Sequence, residues 1–190
     1  MSTFGNCLAP KAPHRACPHL LNNFPDKLNP RRLCLADETL RTILLIEDEP
    51  ADAQLILRGF EKAKVLNPIV HLTNGDDALR YLAGRGEFSD RIKYPIPALI
   101  LLDLKLPGLT GIQLLQWLHV QGELKRIPLV VLTADDRKET VNAAYDLGAN
   151  SYLVKPGNPV DIVRMIKVIQ SYWLALNEAP HLVIAAGFLQ

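Results

Sequence analysis

The stretch Ala98-Leu99-Ile100-Leu101-Leu102-Asp103-Leu104-Lys105-Leu106-Pro107-Gly108 decides the fold. An apolar run without polar alternation halts on a carboxylate, and a Pro-Gly turn signal follows. Such a run is the mark of a strand covered on both faces, as in a parallel sheet. The pattern recurs along the chain. Ile43-Leu44-Leu45-Ile46 stops at Glu47-Asp48, Leu129-Val130-Val131-Leu132 at Thr133, and Tyr152-Leu153-Val154 at Lys155-Pro156. Ile69 to Leu72 supplies a further short strand.

Helical spacing fills the intervals. Pro50 suits a first helical position, and Ala53, Ile56, Leu57 and Phe60 then mark one face. Asn74-Gly75-Asp76 is a helix-start signal ahead of Ala78, Leu79 and Leu82, and a long loop runs from Gly84 to Pro97. Ile112, Leu115 and Leu118 follow Gly111, while Val141, Ala144 and Tyr145 belong to a helix ending near Gly148. Ile162, Met165, Ile166, Ile169 and Trp173 trace a final stripe. Alternation of this kind implies an α/β fold with a parallel sheet, helices on both faces and right-handed crossovers. In open α/β sheets ligands bind beyond the carboxyl ends of the strands. Glu47, Asp48, Asp103, Thr133 and Lys155 all occupy those ends, so they are expected to converge.

Composition narrows the function. The 190 residues are 48% hydrophobic and 22% charged, ordinary for a globular domain. Twenty-one Lys and Arg against 20 Asp and Glu leave a formal charge of +1, so no broad positive field exists to hold nucleic acid. No apolar run is long enough for a membrane helix, and no secretory leader is evident, so a soluble, cytoplasmic protein is expected. Cys7, Cys17 and Cys34 are confined to the first 34 residues. Their spacing, with His14 and His19 among them, lacks the close Cys pair of a structural zinc site. Residues 1–40 hold five of the 14 prolines without sustained periodicity, and read as a flexible extension. Residues 41–176 read as the folded domain and 177–190 as a tail.

Three carboxylates brought together repel one another, and a set of hard oxygen ligands is what Mg2+ prefers. An Asp carboxylate is also a nucleophile able to form an aspartyl phosphate, with Lys155 and the Thr133 hydroxyl available to the added oxygens. Taken singly, an Asp after a strand is more often a cap and a Lys a solvated charge. The functional reading rests on acids, hydroxyl and lysine all falling at strand ends of one sheet. A phosphohydrolase with an Asp nucleophile would carry an Asp-x-Asp pattern, and the second position here is Lys105. Glycine-rich phosphate loops are absent as well.

Over roughly Arg41 to Trp173 the sequence resembles the receiver domain of two-component response regulators. Leu44-Leu45-Ile46-Glu47-Asp48 is similar to the family's acidic pair, and Leu101-Leu102-Asp103 to its phosphoacceptor. Leu132-Thr133-Ala134 resembles its switch hydroxyl, and Tyr152-Leu153-Val154-Lys155-Pro156 its rotating aromatic and lysine. Glu47 departs from the Asp found in many receivers. The resemblance implies a flavodoxin-like (βα)5 fold with strand order 2-1-3-4-5. It implies Mg2+ held by Asp48, Asp103 and the backbone carbonyl of Lys105, with Glu47 acting through a water, and a cis Lys155-Pro156 peptide. Phosphoryl transfer to Asp103 from a sensor histidine kinase would use Lys155 and Thr133, with Thr133 and Tyr152 as the switch. The side chains of Lys105 and Asp135 would tune attack by water, and small Ala134 would leave the entrance open. The long loop before Ala98 and Ser171-Tyr172-Trp173-Leu174 are similar to regulators associated with phytochrome-type kinases. After the last helix too little chain follows for a helix-turn-helix, so output through a downstream protein partner is expected. Leu182 to Ala186 is a candidate contact with the domain or with a second copy in a homodimer. The rival in the same fold is a protein-binding module that works without phosphorylation.

Overall fold

The apolar runs form five short strands, β1 Ile43–Ile46, β2 Ile69–Leu72, β3 Leu99–Leu102, β4 Leu129–Thr133 and β5 Ser151–Val154. They are seen in a computed structural model that describes residues 41–180 and Leu182. The extension with its cysteines, and all of the apolar ending but Leu182, lie outside the described residues. All four pairings are parallel, in the order β2-β1-β3-β4-β5 that the resemblance implies.

Helices α1 Pro50–Lys62, α2 Gly75–Ala83, α3 Gly111–His119, α4 Lys138–Asp146 and α5 Pro159–Ile169 alternate with the strands. Their starts are written locally. Asn74 accepts the Asp77 N–H, Asn158 accepts that of Asp161, and Thr110 closes a capping box with Gln113. Pro50 and Pro159 occupy first-turn positions, where a missing N–H costs nothing.

Because strand side chains alternate between faces, one unbroken run feeds two cores. Leu44, Ile46, Ile100, Leu102 and Val131 pack with Ala78, Leu82, Leu114, Leu115, Leu118 and Ala144, joined by Leu182. Ile43, Leu45, Leu99, Leu101, Val130 and Leu132 pack with Ile56, Phe60, Ile162, Ile166 and Ile169 on the opposite face. Gly59 permits the approach of α1 to α5: a Cβ there would lie 3.0 Å from Ile162.

Several expectations need correction. Full burial holds for the three central strands only, because β2 and β5 are edges with a neighbour on one side, and Val154 is 49% exposed. Of Val141, Ala144 and Tyr145, α4 buries only Ala144, and Tyr145 is 48% exposed. The last helix continues past α5 as a π-helical segment, Gln170–Leu176. No peptide bond among the described residues is cis, so Lys155-Pro156 is trans, the lower-energy isomer of an X-Pro bond. The long loop is packed. Tyr81, Phe88 and Tyr94 meet edge to face at 5.1–6.1 Å, and the Arg91 guanidinium donates to the Tyr81 and Leu82 carbonyls at 2.8 Å, capping α2. No helix among the described residues is long and apolar enough to cross a membrane.

Candidate functional site

The carboxyl ends of β1, β3, β4 and β5 bring Glu47, Asp48, Asp103, Thr133 and Lys155 to one edge of the sheet. Register does the positioning: the Asp103 N–H bonds to the Ile46 carbonyl at 2.9 Å, and the Lys155 N–H to the Thr133 carbonyl at 2.8 Å. Gly111 lets the start of α3 close over the acceptor strand, since a Cβ there would collide with the Asp103 and Leu104 backbone.

Lys155 is the hub. Its ammonium lies 2.6 Å from Glu47 Oε2, 2.6 Å from Asp103 Oδ2 and 2.9 Å from Asp52 Oδ2, with the lysine side chain 8% exposed. The other oxygen of Asp103 accepts the Lys105 N–H at 3.2 Å. Glu47 is 1% exposed and accepts the Glu49 N–H through Oε1 at 3.3 Å. Its carbonyl accepts from the His71 ring at 2.9 Å, tying the acidic loop to β2. One oxygen each from Glu47, Asp48 and Asp103 fall within 4.8 Å of one another.

The electrostatics follow from burial among like charges. Burial pushes the Glu47 carboxyl up to about 7, and its bond to Lys155 only partly reverses this. Burial raises Asp103 too, but there the Lys155 ammonium prevails, helped by the neighbouring Thr133 hydroxyl and the Lys105 N–H, and the carboxyl is held below its ordinary range. Burial would discharge Lys155, yet Asp103, Glu47 and Asp52 together hold its pKa above the usual lysine value. Thr133 Oγ1 is fully buried and makes no hydrogen bond, which costs about 1–3 kcal/mol unless a partner arrives. An orphaned hydroxyl beside a carboxylate cluster suits an incoming group rich in acceptor oxygens.

The donor set is all carboxylate oxygen, and the acids outnumber the one ammonium among them, so the residues present fit a hard divalent cation such as Mg2+. Ala134 is exposed. The Lys105 side chain is exposed. The Asp135 carboxylate is engaged by Arg137 Nε at 3.0 and 3.1 Å and by the Thr140 hydroxyl at 3.3 Å, so its charge is directed at the start of α4. Tyr152 donates its hydroxyl to the Asp135 carbonyl at 2.8 Å. Asp52 was missed in the sequence. The available signal was an acid one helical turn after Asp48, in a helix that begins at a strand end bearing acids.

Comparison with known proteins agrees with this geometry. The sequence profile of the response regulator receiver domain matches residues 43–167. Response regulator Rcp1 of Synechocystis sp. is 37% identical over 140 residues, covering 74% of this chain and 93% of Rcp1. The phosphorylated cyanobacterial phytochrome response regulator RcpA superposes with a TM-score of 0.69 at 33% identity, over 74% of this chain and 99% of RcpA. The Mn2+-bound form of Rcp1 superposes with a TM-score of 0.68 at 36% identity, over 74% and 99% of the two chains. A profile match running from the first strand into the last helix, with relatives of this likeness, makes the chain a member of the response regulator receiver domain family of two-component systems.

Proposed function

We propose that residues 41–176 accept a phosphoryl group on Asp103 from the phosphohistidine of a sensor histidine kinase, with Mg2+ beside the acceptor. The observation that carries this reading is the setting of Asp103. It is a buried carboxylate held on one oxygen by Lys155 and on the other by the Lys105 N–H, next to a buried hydroxyl without a partner.

A carboxylate oxygen of Asp103 attacks phosphorus in line. As the new P–O bond forms, the P–N bond of phosphohistidine breaks, and the departing imidazole keeps the electron pair and takes up a proton. Catalysis of this kind is chiefly positioning and charge neutralisation. Lys155, already on Asp103 Oδ2, meets one phosphoryl oxygen. Thr133 donates its free hydroxyl to another. Asp48, Asp103 and the Lys105 carbonyl would hold Mg2+, with Glu47 acting through a water, and the ion would supply further neutralisation of phosphoryl charge.

Output runs through β4. A shift of Thr133 toward the phosphoryl group carries Ala134 and Asp135 with it, and the Asp135 carbonyl is the anchor of the Tyr152 hydroxyl. Phosphorylation thus biases the face made by α4, β5 and α5, to which a downstream protein or a second copy binds. Relatives described as phytochrome response regulators support a kinase of phytochrome type as the donor. The test is phosphoryl uptake from phosphoramidate with and without Mg2+, in the parent and in Asp103→Asn. Mg2+-dependent uptake by the parent alone is expected. No uptake by a folded parent would favour a binding module that works without phosphorylation.

A further inference from the structure

After α5 the chain changes sides. Trp173 and Leu174, in the π-helical continuation, pack on the core shared with α1 and α5. Leu182 packs on the opposite core, the one shared by α2, α3 and α4. Between Leu174 and Leu182 the chain therefore passes from one face of the sheet to the other. The residues that follow, Val183-Ile184-Ala185-Ala186-Gly187-Phe188-Leu189, carry no charged and no hydrogen-bonding side chain.

The face that Leu182 joins holds a groove of about 310 Å³, between the end of α3, the start of β4 and the Leu147-Gly148 turn that follows α4. Leu115, Leu118, Leu124, Ile127 and Leu129 line it, and all five belong to the core on which Leu182 packs. The polar lining side chains, His119, Lys125 and Arg126, are exposed. No lining side chain thus offers a buried donor or acceptor of the kind that fixes a polar small molecule. The groove suits an apolar occupant. A dry cavity of roughly 150 Å³ holds one benzene, so there is room here for a phenyl ring and a second apolar side chain.

Reach is sufficient. The nine residues of α3 span about 14 Å and the five of β4 about 17 Å. Seven extended residues span roughly 23 Å, so the segment after Leu182 can run the length of either element. Being tethered, it also competes at an effective concentration on the order of millimolar, which a free partner or a second copy at micromolar levels does not match. We propose that Val183–Leu189 docks in this groove of its own molecule, with Phe188 as the side chain that enters it. The contact ties the end of α3 to the turn after α4, at the pole of the sheet away from Asp103, and depends on no step at Asp103.

The test uses the full chain with the photoreactive substitution Phe188→p-benzoylphenylalanine, irradiated and mapped by mass spectrometry. Cross-links within one chain to residues 115–129 or to Leu147 are expected, with a yield unchanged by roughly 100-fold dilution because the partners are tethered. A second variant, Ile184→Asp with Phe188→Asp, alters the tail and leaves the domain intact. In its methyl NMR spectrum the Leu118, Leu124 and Leu129 signals should move, while those of Ile56 and Ile166 on the opposite face should stay. Cross-links to α1 or α5, cross-links between chains that fade on dilution, or no cross-link at all would overturn the proposal. Groove methyl signals that do not move in the double variant would overturn it as well.

Discussion

Lys155→Met exposes how the site is balanced. The substitution keeps an unbranched apolar stem and removes the ammonium from among three carboxylates. The Asp52 pair is the most exposed of the three and contributes about 0–1 kcal/mol to stability. The other two differ, because Glu47 and Asp103 are almost fully buried and 2.6 Å from the ammonium. Removing the common partner of buried charges costs about 3–5 kcal/mol. Glu47 has a partial escape: with its pKa already at about 7, it can bind a proton near neutrality and end its repulsion with Asp103. The expected loss is therefore about 3 kcal/mol at pH 8 and smaller at pH 6, roughly 6–12 °C in melting temperature at the higher pH. Mg2+ should narrow the deficit, since the variant offers the cation oxygens that no ammonium contests and so binds it more tightly than the parent; each roughly tenfold gain in affinity narrows it by about 1.4 kcal/mol at saturation. Thermal unfolding followed by circular dichroism at both pH values, with and without Mg2+, measures all of this. A metal-free variant as stable as the parent at pH 8, or a deficit that Mg2+ leaves unchanged, would refute the reasoning.

Other perturbations separate the parts. Glu47 titrates at about 7 folded against an ordinary 4.5, so the folded chain holds the extra proton between those values, and metal-free stability should fall as pH rises from 4.5 to 7. The change is at most about 3 kcal/mol, less where water screens the open side, and denaturant titration of Glu47→Gln should show it gone. Thr133→Val removes the orphaned hydroxyl and should leave the unphosphorylated chain as stable or about 1 kcal/mol more so, while shortening phosphoryl lifetime; urea unfolding and dephosphorylation kinetics check the two halves. Arg91→Ala uncaps α2 and frees the long loop, with an expected cost of about 1–3 kcal/mol in urea unfolding and faster amide exchange at Tyr81 to Tyr94.

The strand ends were legible because a doubly covered strand leaves a continuous apolar run, and such a run stops where the chain emerges beside the ligand site. Glu47, Asp103, Thr133 and Lys155 could each be placed in that way, and local capping signals at Asn74 and Pro50 placed helix starts. Edge strands were harder. β2 carries His71 and is only half buried, and β5 exposes Val154, so neither shows the pattern as cleanly. Helical spacing records which residues share a face but not how far that face turns inward, and α4 buries Ala144 while leaving Tyr145 exposed. Asp52 joins Lys155 across 103 residues of sequence, and only the folded sheet brings that helix turn to the ammonium. The Arg91 cap was hidden for the same reason: its acceptors are backbone carbonyls, which leave no trace in residue type.

The most direct test of the central claim is to locate the phosphoryl group. After reaction with phosphoramidate and Mg2+, borohydride reduction converts an aspartyl phosphate to homoserine, and mass spectrometry of peptides finds the position. Homoserine at Asp103 alone, absent when Mg2+ is withheld, is the predicted result; modification at Asp48 or Asp52 with Asp103 intact would contradict the account.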